Sequence, residues 1–202
     1  SRAPSPDRST WLTEIIGGGP FNLIAGGWTD DTSMALALMD AYLDSGGFDP
    51  ELIGHYFVGW YREGKFSHTG TCFDIGHATR EALDRIDLGT RTDSPYQGST
   101  HPQSSGNGGI MRLAPSVVAN HTNLPQAINE AVDQSRITHA SDESVLYAEL
   151  MARVIYSGDP FIDDVSDYVL SDTTDWTELL SGGYVKETFT CAMWAARNTN
   201  SF

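Results

Sequence analysis

Apolar residues recur with helical spacing along most of the chain, and this pattern predicts a series of helices. Residues 31–44 are apolar on almost every side, which is typical of a central helix. The same spacing predicts helices over residues 50–62, 74–83, 110–118, 125–135, 142–156, 160–170 and 183–197. No stretch alternates between apolar and polar residues long enough to predict a strand. The pattern therefore predicts an all-α bundle formed by one domain over residues 1–202, in which residues 1–16 are a loop or a loose terminus.

Capping residues fix the ends of the first two predicted helices. Gly46 follows the first helix, as glycine does at a helix C-terminus. Asp49 and Pro50 form a helix start, because aspartate accepts hydrogen bonds from the first backbone N–H groups and proline suits the first helical position. The second helix is expected to stop at Gly64. Pro115 is expected to kink or shorten the helix over residues 110–118.

Charge and composition narrow the classes of partner. The formal net charge is -15 with only 12 Lys and Arg residues, which excludes nucleic acid and acidic membrane surfaces as expected partners. Cys72 and Cys191 are far apart in the chain and form no CxxC pair, so we expect no disulfide framework. No apolar run approaches the length of a membrane span, and the first residues lack the apolar core of a signal peptide. We therefore expect a reduced, cytoplasmic setting.

The segment Thr29-Asp30-Asp31 sets one hydroxyl and two carboxylates at the start of an apolar helix. Carboxylate and hydroxyl oxygens are the ligands that Mg²⁺ prefers, so this run is a candidate metal site. The alternative is a helix that is merely well capped, because acidic side chains near a helix N-terminus are favourable on their own. The segment alone leaves both interpretations open.

A second candidate is the long stretch over residues 89–109, which lacks periodicity and ends in a glycine-rich run. It precedes a predicted helix start, where unpaired backbone N–H groups can bind an anion. The alternative is a flexible surface linker, and the sequence does not decide between the two. His139 lies in the short junction between two later helices, where a histidine is most often a structural hydrogen-bonding group.

Two other stretches are less well supported as candidate metal sites. His68, Cys72 and His77 suggest zinc, but the sequence offers no fourth ligand at a matching spacing. Residues 172–178 resemble a calcium-binding loop superficially, yet they lack its central glycine and alternating acidic positions. We expect neither site.

Together, four ordered motifs make the chain resemble the ADP-ribosylglycohydrolase family, of the dinitrogenase-reductase-activating type, over residues 17–202. The resemblance implies an all-helical hydrolase that removes ADP-ribose from modified proteins or small molecules. The motifs, in family order, are Gly27-Trp28-Thr29-Asp30-Asp31-Thr32, Cys72-Phe73-Asp74-Ile75-Gly76, Ser105-Gly106-Asn107-Gly108-Gly109-Ile110-Met111-Arg112-Leu113-Ala114-Pro115 and Thr138-His139-Ala140.

The resemblance also implies roles for individual residues. Thr29, Asp30 and Asp31 would be ligands of a two-metal Mg²⁺ or Mn²⁺ centre, and Asp30, Asp31 and Asp74 would be catalytic. Asp74 would also lie at the substrate ribose. The further implied contacts to ADP-ribose, or to the ADP-ribosylated substrate, are Ser105, Gly106, Asn107, Gly108 and His139.

Two family motifs lie outside this sequence. A Gly-Asp-Ala-Leu-Gly helix normally precedes the matched region, and a second acidic metal motif would follow Phe202, so we expect a bundle truncated at both ends. The resemblance, with these two motifs outside the sequence, leaves two alternative functions. The first is a Mg²⁺- or Mn²⁺-dependent hydrolase, and the second is a catalytically impaired descendant that binds ADP-ribose or serves as a scaffold. Apolar helix faces left bare by truncation favour a homodimer.

Overall fold

The computed structural model describes residues 14–89, 94–171 and 174–199, and the described chain is helical. Within these residues there is no extended strand, only isolated bridges that pair Gly18 with Leu23, Ser99 with His139 and Gly106 with Tyr184. The all-α prediction is confirmed. The α-helices are α1 (Asp30–Ser45), α2 (Pro50–Glu63), α3 (His77–Asp87), α4 (Gly108–Met111), α5 (Ala114–Ala119), α6 (Leu124–Arg136), α7 (Asp142–Ser157) and α8 (Val185–Asn198).

The predicted helix ends of α1 and α2 are confirmed. The Asp49 carboxylate accepts the backbone N–H of Leu52 at 3.0 Å, and Pro50 occupies the first helical position. Gly46 and Gly64 end the two helices in the left-handed conformation that glycine adopts without steric cost. These short-range signals set the end of α1 and both ends of α2.

Three later elements differ from the predicted pattern. The helix expected over residues 110–118 is two short helices, α4 and α5, and Pro115 lies in the first turn of α5. The segment expected to be helical over residues 160–170 contains a 3₁₀ helix, Asp163–Tyr168, instead of an α-helix. The third helix begins at His77 rather than at residue 74. Residues 1–13, in the expected N-terminal loop, and residues 172–173, in the calcium-like segment, lie outside the described part of the chain.

The buried apolar side chains form two cores. The first contains Leu38 of α1, Phe57 of α2 and Leu83 of α3. The second lies among α5, α6, α7 and α8, with Ala148 and Phe189 fully buried. Arg112, which follows α4, links the two cores, because its neighbour Leu113 belongs to the second core while its guanidinium lies against Phe57 and Met34 of the first.

Helix α1 is buried on one face. Met34 and Leu38 belong to the first core, whereas Met39 is 44% exposed and Leu43 is 71% exposed. The apolar pattern on almost every side of this helix predicted a central position, and the structure buries one face of it while Met39 and Leu43 stay exposed. The acidic first turn forms the N-terminus of this helix.

Within the described residues, no helix is long and apolar enough to cross a membrane. Cys72 and Cys191 are both free thiols.

Candidate active site

The segment Thr29-Asp30-Asp31 opens α1 as predicted. Thr29 has the extended backbone of an N-cap residue, but its side chain makes no capping hydrogen bond to the helix. Ser33 supports this turn instead, because its hydroxyl donates to the carbonyl oxygen of Thr29 at 2.8 Å. The Thr29 hydroxyl therefore does not cap the helix, and both carboxylates lie half-buried in the first turn.

Three carboxylates share one electrostatic environment at this helix start. Burial raises the pKa of Asp30 to about 6, and the nearby charges of Asp31 and Asp74 add to the shift. Burial also raises the pKa of Asp31, opposed by the positive charge of Arg112 and increased by Asp74. The fold therefore brings the candidate residues of two separate sequence motifs within range of one another. Their mutual repulsion is the kind that a bound divalent cation relieves.

Asp74 has an unusual backbone conformation. Its φ angle is +59°, in the left-handed region that non-glycine residues rarely adopt. Such backbone strain is concentrated at functional sites, where the surrounding structure fixes it. Because this conformation cannot continue into a right-handed helix, α3 starts three residues later, at His77, and Asp74 stands outside the helix.

An aromatic cluster, which the sequence motifs do not reveal, joins the two acidic segments. The backbone N–H of Trp28 donates to Nδ1 of His68 at 3.3 Å, and the two ring centroids are 5.2 Å apart. The His68 ring also meets the Phe73 ring edge-on, with centroids 5.8 Å apart. Trp28 directly precedes Thr29-Asp30-Asp31 and Phe73 directly precedes Asp74. The cluster therefore sets the spacing between the two segments.

The donor set fits Mg²⁺ or Mn²⁺ in its chemistry, since Thr29, Asp30 and Asp31 supply only oxygen atoms. Yet in residues 14–89, 94–171 and 174–199, no three acidic, histidine or cysteine side chains converge so as to hold an ion. These residues therefore resemble part of a coordination shell rather than a closed one.

In the described part of the chain, no group of three potential ligands gathers the zinc candidates into one site. Burial raises the pKa of the Cys72 thiol to about 11 in the metal-free protein. His68 is engaged with Trp28, and the His77 side chain is 87% exposed and faces Glu81.

The glycine-rich run packs directly against His139. A Cβ atom on Gly108 would lie 2.8 Å from Cε1 of His139, and one on Gly106 would lie 3.0 Å from Nε2. A Cβ atom on Gly109 would overlap the Ser135 hydroxyl. These glycines are therefore required for close packing, which the linker interpretation does not explain. Helix α4 has only four residues, so the predicted anion site at a helix start gains little from its dipole.

The polar side chains of this run already have protein partners. The Ser105 hydroxyl donates to the carbonyl oxygen of Pro102 at 2.7 Å and lies 2.9 Å from the Ser141 hydroxyl. The Asn107 amide donates to the Thr188 hydroxyl at 3.0 Å. Their predicted contacts with ADP-ribose stay predictions, and the structure assigns both side chains a role in fixing the loop.

His139 lies beneath this loop and is 4% exposed. Its Nδ1 lies 2.8 Å from the Thr138 hydroxyl. Burial, together with the charge of Arg112, lowers the pKa of His139 to about 3. The imidazole is therefore neutral at physiological pH in the absence of ligand.

Arg112 is a buried cation that the sequence reasoning did not single out. It is 1% exposed, and its guanidinium carbon lies 4.5 Å from the centre of the Phe57 ring. Its Nε donates to Gln134 at 2.9 Å and its Nη2 to the Thr138 hydroxyl at 2.6 Å. Burial lowers the pKa of Arg112 to about 9, opposed by the charges of Asp31 and Asp30. A charged residue inside an otherwise apolar helical stretch was the available sequence signal.

These features define a helical protein with an oxygen-rich acidic helix start and a glycine loop that packs on a neutral histidine. A family model described as ADP-ribosylglycohydrolase matches residues 1–202. The chain belongs to the ADP-ribosylglycohydrolase family, as its ordered motifs indicate.

Individual relatives agree with this assignment. The chain is 37% identical to the ADP-ribosylarginine hydrolase Tri1 of Pseudomonas putida (strain GB-1), over 95% of this chain and 55% of that protein. It is 34% identical to the ADP-ribosylarginine hydrolase Tri1 of Serratia proteamaculans (strain 568), over 95% of this chain and 56% of that protein. A solved structure described as an ADP-ribosylglycohydrolase-related protein complex matches with a TM-score of 0.72 and 30% identity, covering 93% of this chain and 66% of that one. The chain thus spans about half the length of the curated relatives it matches.

Proposed function

We propose that the chain acts in hydrolysis of the glycosidic bond between ADP-ribose and a modified side chain, with arginine as the first candidate. The observation that carries the proposal is the shared environment of Asp30, Asp31 and Asp74 at the start of α1. Arginine is the first candidate because the relatives from Pseudomonas putida and Serratia proteamaculans are both named as ADP-ribosylarginine hydrolases.

Thr29, Asp30 and Asp31 would hold Mg²⁺ or Mn²⁺. A bound cation would supply a Lewis acid that stabilises negative charge and positions a water molecule. Arg112 favours the ionised form of Asp31, which is the form that binds a metal. Asp74, which is exposed and has a left-handed backbone conformation, would meet the ribose as a polar or acid–base group.

An acidic chain must bind an anionic ligand without a basic patch. The net charge of -15 repels the two phosphates of ADP-ribose over long distances. Backbone N–H groups and the neutral His139 imidazole can donate to the phosphates at the loop over residues 105–109, and a bound cation would neutralise part of the phosphate charge. The proposed binding therefore depends on metal.

A second function is supported by one observation. The described acidic side chains do not converge on a single ion site, which favours a catalytically impaired protein that binds ADP-ribose or serves as a scaffold. Metal dependence separates the two functions, because a scaffold needs no cation to hold its ligand.

Calorimetric titration of ADP-ribose, with and without Mg²⁺, tests the proposal. We expect binding in Mg²⁺ that weakens at least about tenfold on its removal or in Asp31→Asn, since each loses a charge-assisted contact. Asp40→Asn makes the same charge change farther along α1 and is expected to bind within about twofold of the wild type. Equal affinity with and without Mg²⁺, without turnover of an ADP-ribosylated substrate, would favour the scaffold.

We further propose that the protein works in a reducing, cytoplasmic compartment and does not bind nucleic acid. Both free cysteines and the strongly acidic composition support this proposal. Retardation of a labelled DNA or RNA duplex at physiological salt would contradict it.

A further inference from the structure

A chain of buried hydrogen bonds connects Arg112 to His139 through Thr138. Nη2 of Arg112 lies 2.6 Å from the Thr138 hydroxyl oxygen, which in turn lies 2.8 Å from Nδ1 of His139. All three residues are buried. A guanidinium has donors and no acceptor, so the Thr138 oxygen must accept the bond from Arg112.

The direction of the second bond follows from this constraint. Among the residues that the structure describes, the only acceptor recorded for the Thr138 hydroxyl hydrogen is Nδ1 of His139. If Nδ1 carried the proton instead, the hydroxyl hydrogen would be buried without an acceptor, which is unfavourable. Nδ1 is therefore the unprotonated nitrogen, and the proton of the neutral imidazole is on Nε2.

Nε2 of His139 points toward the glycine loop. Cβ atoms on Gly106 and Gly108 would lie 3.0 Å and 3.4 Å from Nε2, so a larger residue at either position would crowd this atom. Nε2 has no hydrogen-bond partner in the described part of the chain. It is also not fully enclosed, since in that part the only enclosed side-chain polar atom without a partner is the Ser116 hydroxyl oxygen. The Nε2 proton therefore remains available to a ligand at the loop.

We propose that Arg112 and Thr138 are positioning residues that hold His139 in the neutral Nε2–H tautomer, so that this N–H donates to a phosphate oxygen of the ligand. The proposal rests on the proposed function, because ADP-ribose supplies the phosphate. It gives the acidic protein a phosphate donor that needs no positive charge. The low pKa of His139 agrees with it, since the imidazole stays neutral across the physiological range.

The first test reads the tautomer directly, without ligand. In ¹⁵N-histidine-labelled protein at pH 7, NMR correlations of the His139 ring should show the Nε2–H tautomer. Thr138→Ser keeps the hydroxyl and should keep this pattern. Thr138→Val has nearly the same shape but no hydroxyl, and should shift His139 toward a mixture of tautomers. Thr190→Val, which removes a hydroxyl that bonds only to backbone carbonyls within α8, is the matched control and should change nothing.

The second test measures ADP-ribose affinity by calorimetry in Mg²⁺. We expect Thr138→Val to weaken binding about five- to tenfold, because only part of the population then carries the Nε2–H donor, a loss comparable to one ordinary net hydrogen bond. We expect Thr138→Ser to restore binding to within about twofold of the wild type. An Nδ1–H tautomer in the wild type, or unchanged tautomer and affinity in Thr138→Val, would overturn the proposal.

The two tests separate this inference from the proposed function. If the wild type binds no ADP-ribose but shows the Nε2–H tautomer, the positioning by Thr138 holds, while the phosphate contact and the proposed function are both refuted. If binding is intact and the tautomer is Nδ1–H, only the inference fails.

Discussion

At the scale of single residues, the start of α1 carries an unfavourable charge arrangement. Burial, followed by the charges of Asp31 and Asp74, raises the pKa of Asp30 from 3.8 to about 6. The folded state therefore binds this proton more tightly than the unfolded state does. By linkage, the contribution of Asp30 to folding stability falls as the pH rises through the window from about 4 to about 6.

Replacement of Asp30 by Asn should therefore stabilise the metal-free protein at pH 7. After allowance for the partial exposure of this group, we expect a gain of about 1 kcal/mol, or a melting temperature higher by about 2–4 °C. Thermal denaturation at pH 7 and at pH 3.5 is the measurement, and the gain should vanish at the lower pH. The variant should also lose any stabilisation by Mg²⁺. A lower melting temperature than that of Asp40→Asn at pH 7 would contradict this electrostatic account.

The glycine loop gives a second prediction at this scale. Gly109→Ala would force a Cβ atom into the Ser135 hydroxyl, so we expect a loss of about 1–3 kcal/mol of unfolding free energy, as for other overpacked sites. Gly47→Ala is the matched control, because nothing lies within 4 Å of a Cβ atom there. Urea denaturation of both variants measures the difference. Equal stability would show that residues 105–109 do not pack as described.

At the scale of helices, the sequence predicted helix ends correctly where the residues that determine an end lie close to it in the chain. Asp49, Pro50 and Gly64 fixed both ends of α2 because capping depends on residues within one turn. The pattern over residues 160–170 predicted an α-helix, but only Val165 is buried in the 3₁₀ helix Asp163–Tyr168, so little packing supports a longer helix.

The candidate site, like the helices, was predictable from the sequence only in part. Thr29-Asp30-Asp31 was visible because it breaks the ordinary pattern of an apolar helix start, and Asp74 followed from the family resemblance. The sequence did not reveal that His68 contacts Trp28, because 40 residues separate them and only the tertiary fold brings them together. The sequence also did not reveal the hydrogen bonds that connect Arg112 to His139, because they too form only in the folded chain.

The contacts of His68 with Trp28 and Phe73 predict that His68 holds the start of α1 and the segment before α3 at a fixed spacing. His68→Ala removes the acceptor of the Trp28 N–H and both ring contacts, so we expect a loss of about 1–2 kcal/mol in stability. We also expect weaker Mg²⁺ binding by calorimetry, because Asp74 and the start of α1 lose their fixed spacing. His77→Ala removes an exposed histidine of α3 and serves as the control. Mg²⁺ affinity equal in both variants would refute the positioning effect.

At the scale of the whole molecule, association between copies depends on a balance of charge and apolar surface. Each copy carries a net charge of -15, whereas Met39 and Leu43 expose apolar surface on α1. Homodimerisation stays a prediction. We expect sedimentation to show the 22.0 kDa monomer at low salt and a growing dimer fraction at high salt, because salt screens the repulsion. Leu43→Gln should reduce the dimer fraction, and a single monomeric species at every salt concentration would exclude the dimer.

The central claim is that the acidic start of α1 acts in the hydrolysis of an ADP-ribosyl bond. The most direct measurement is the release of ADP-ribose from an ADP-ribosylated arginine peptide by the 202-residue chain in Mg²⁺. We predict release that is lost on chelation and reduced at least about a hundredfold in Asp31→Asn, while Asp40→Asn remains active, as expected when a metal-assisted step loses a ligand. No release above the uncatalysed rate, or release unaffected by Asp31→Asn, would contradict the account.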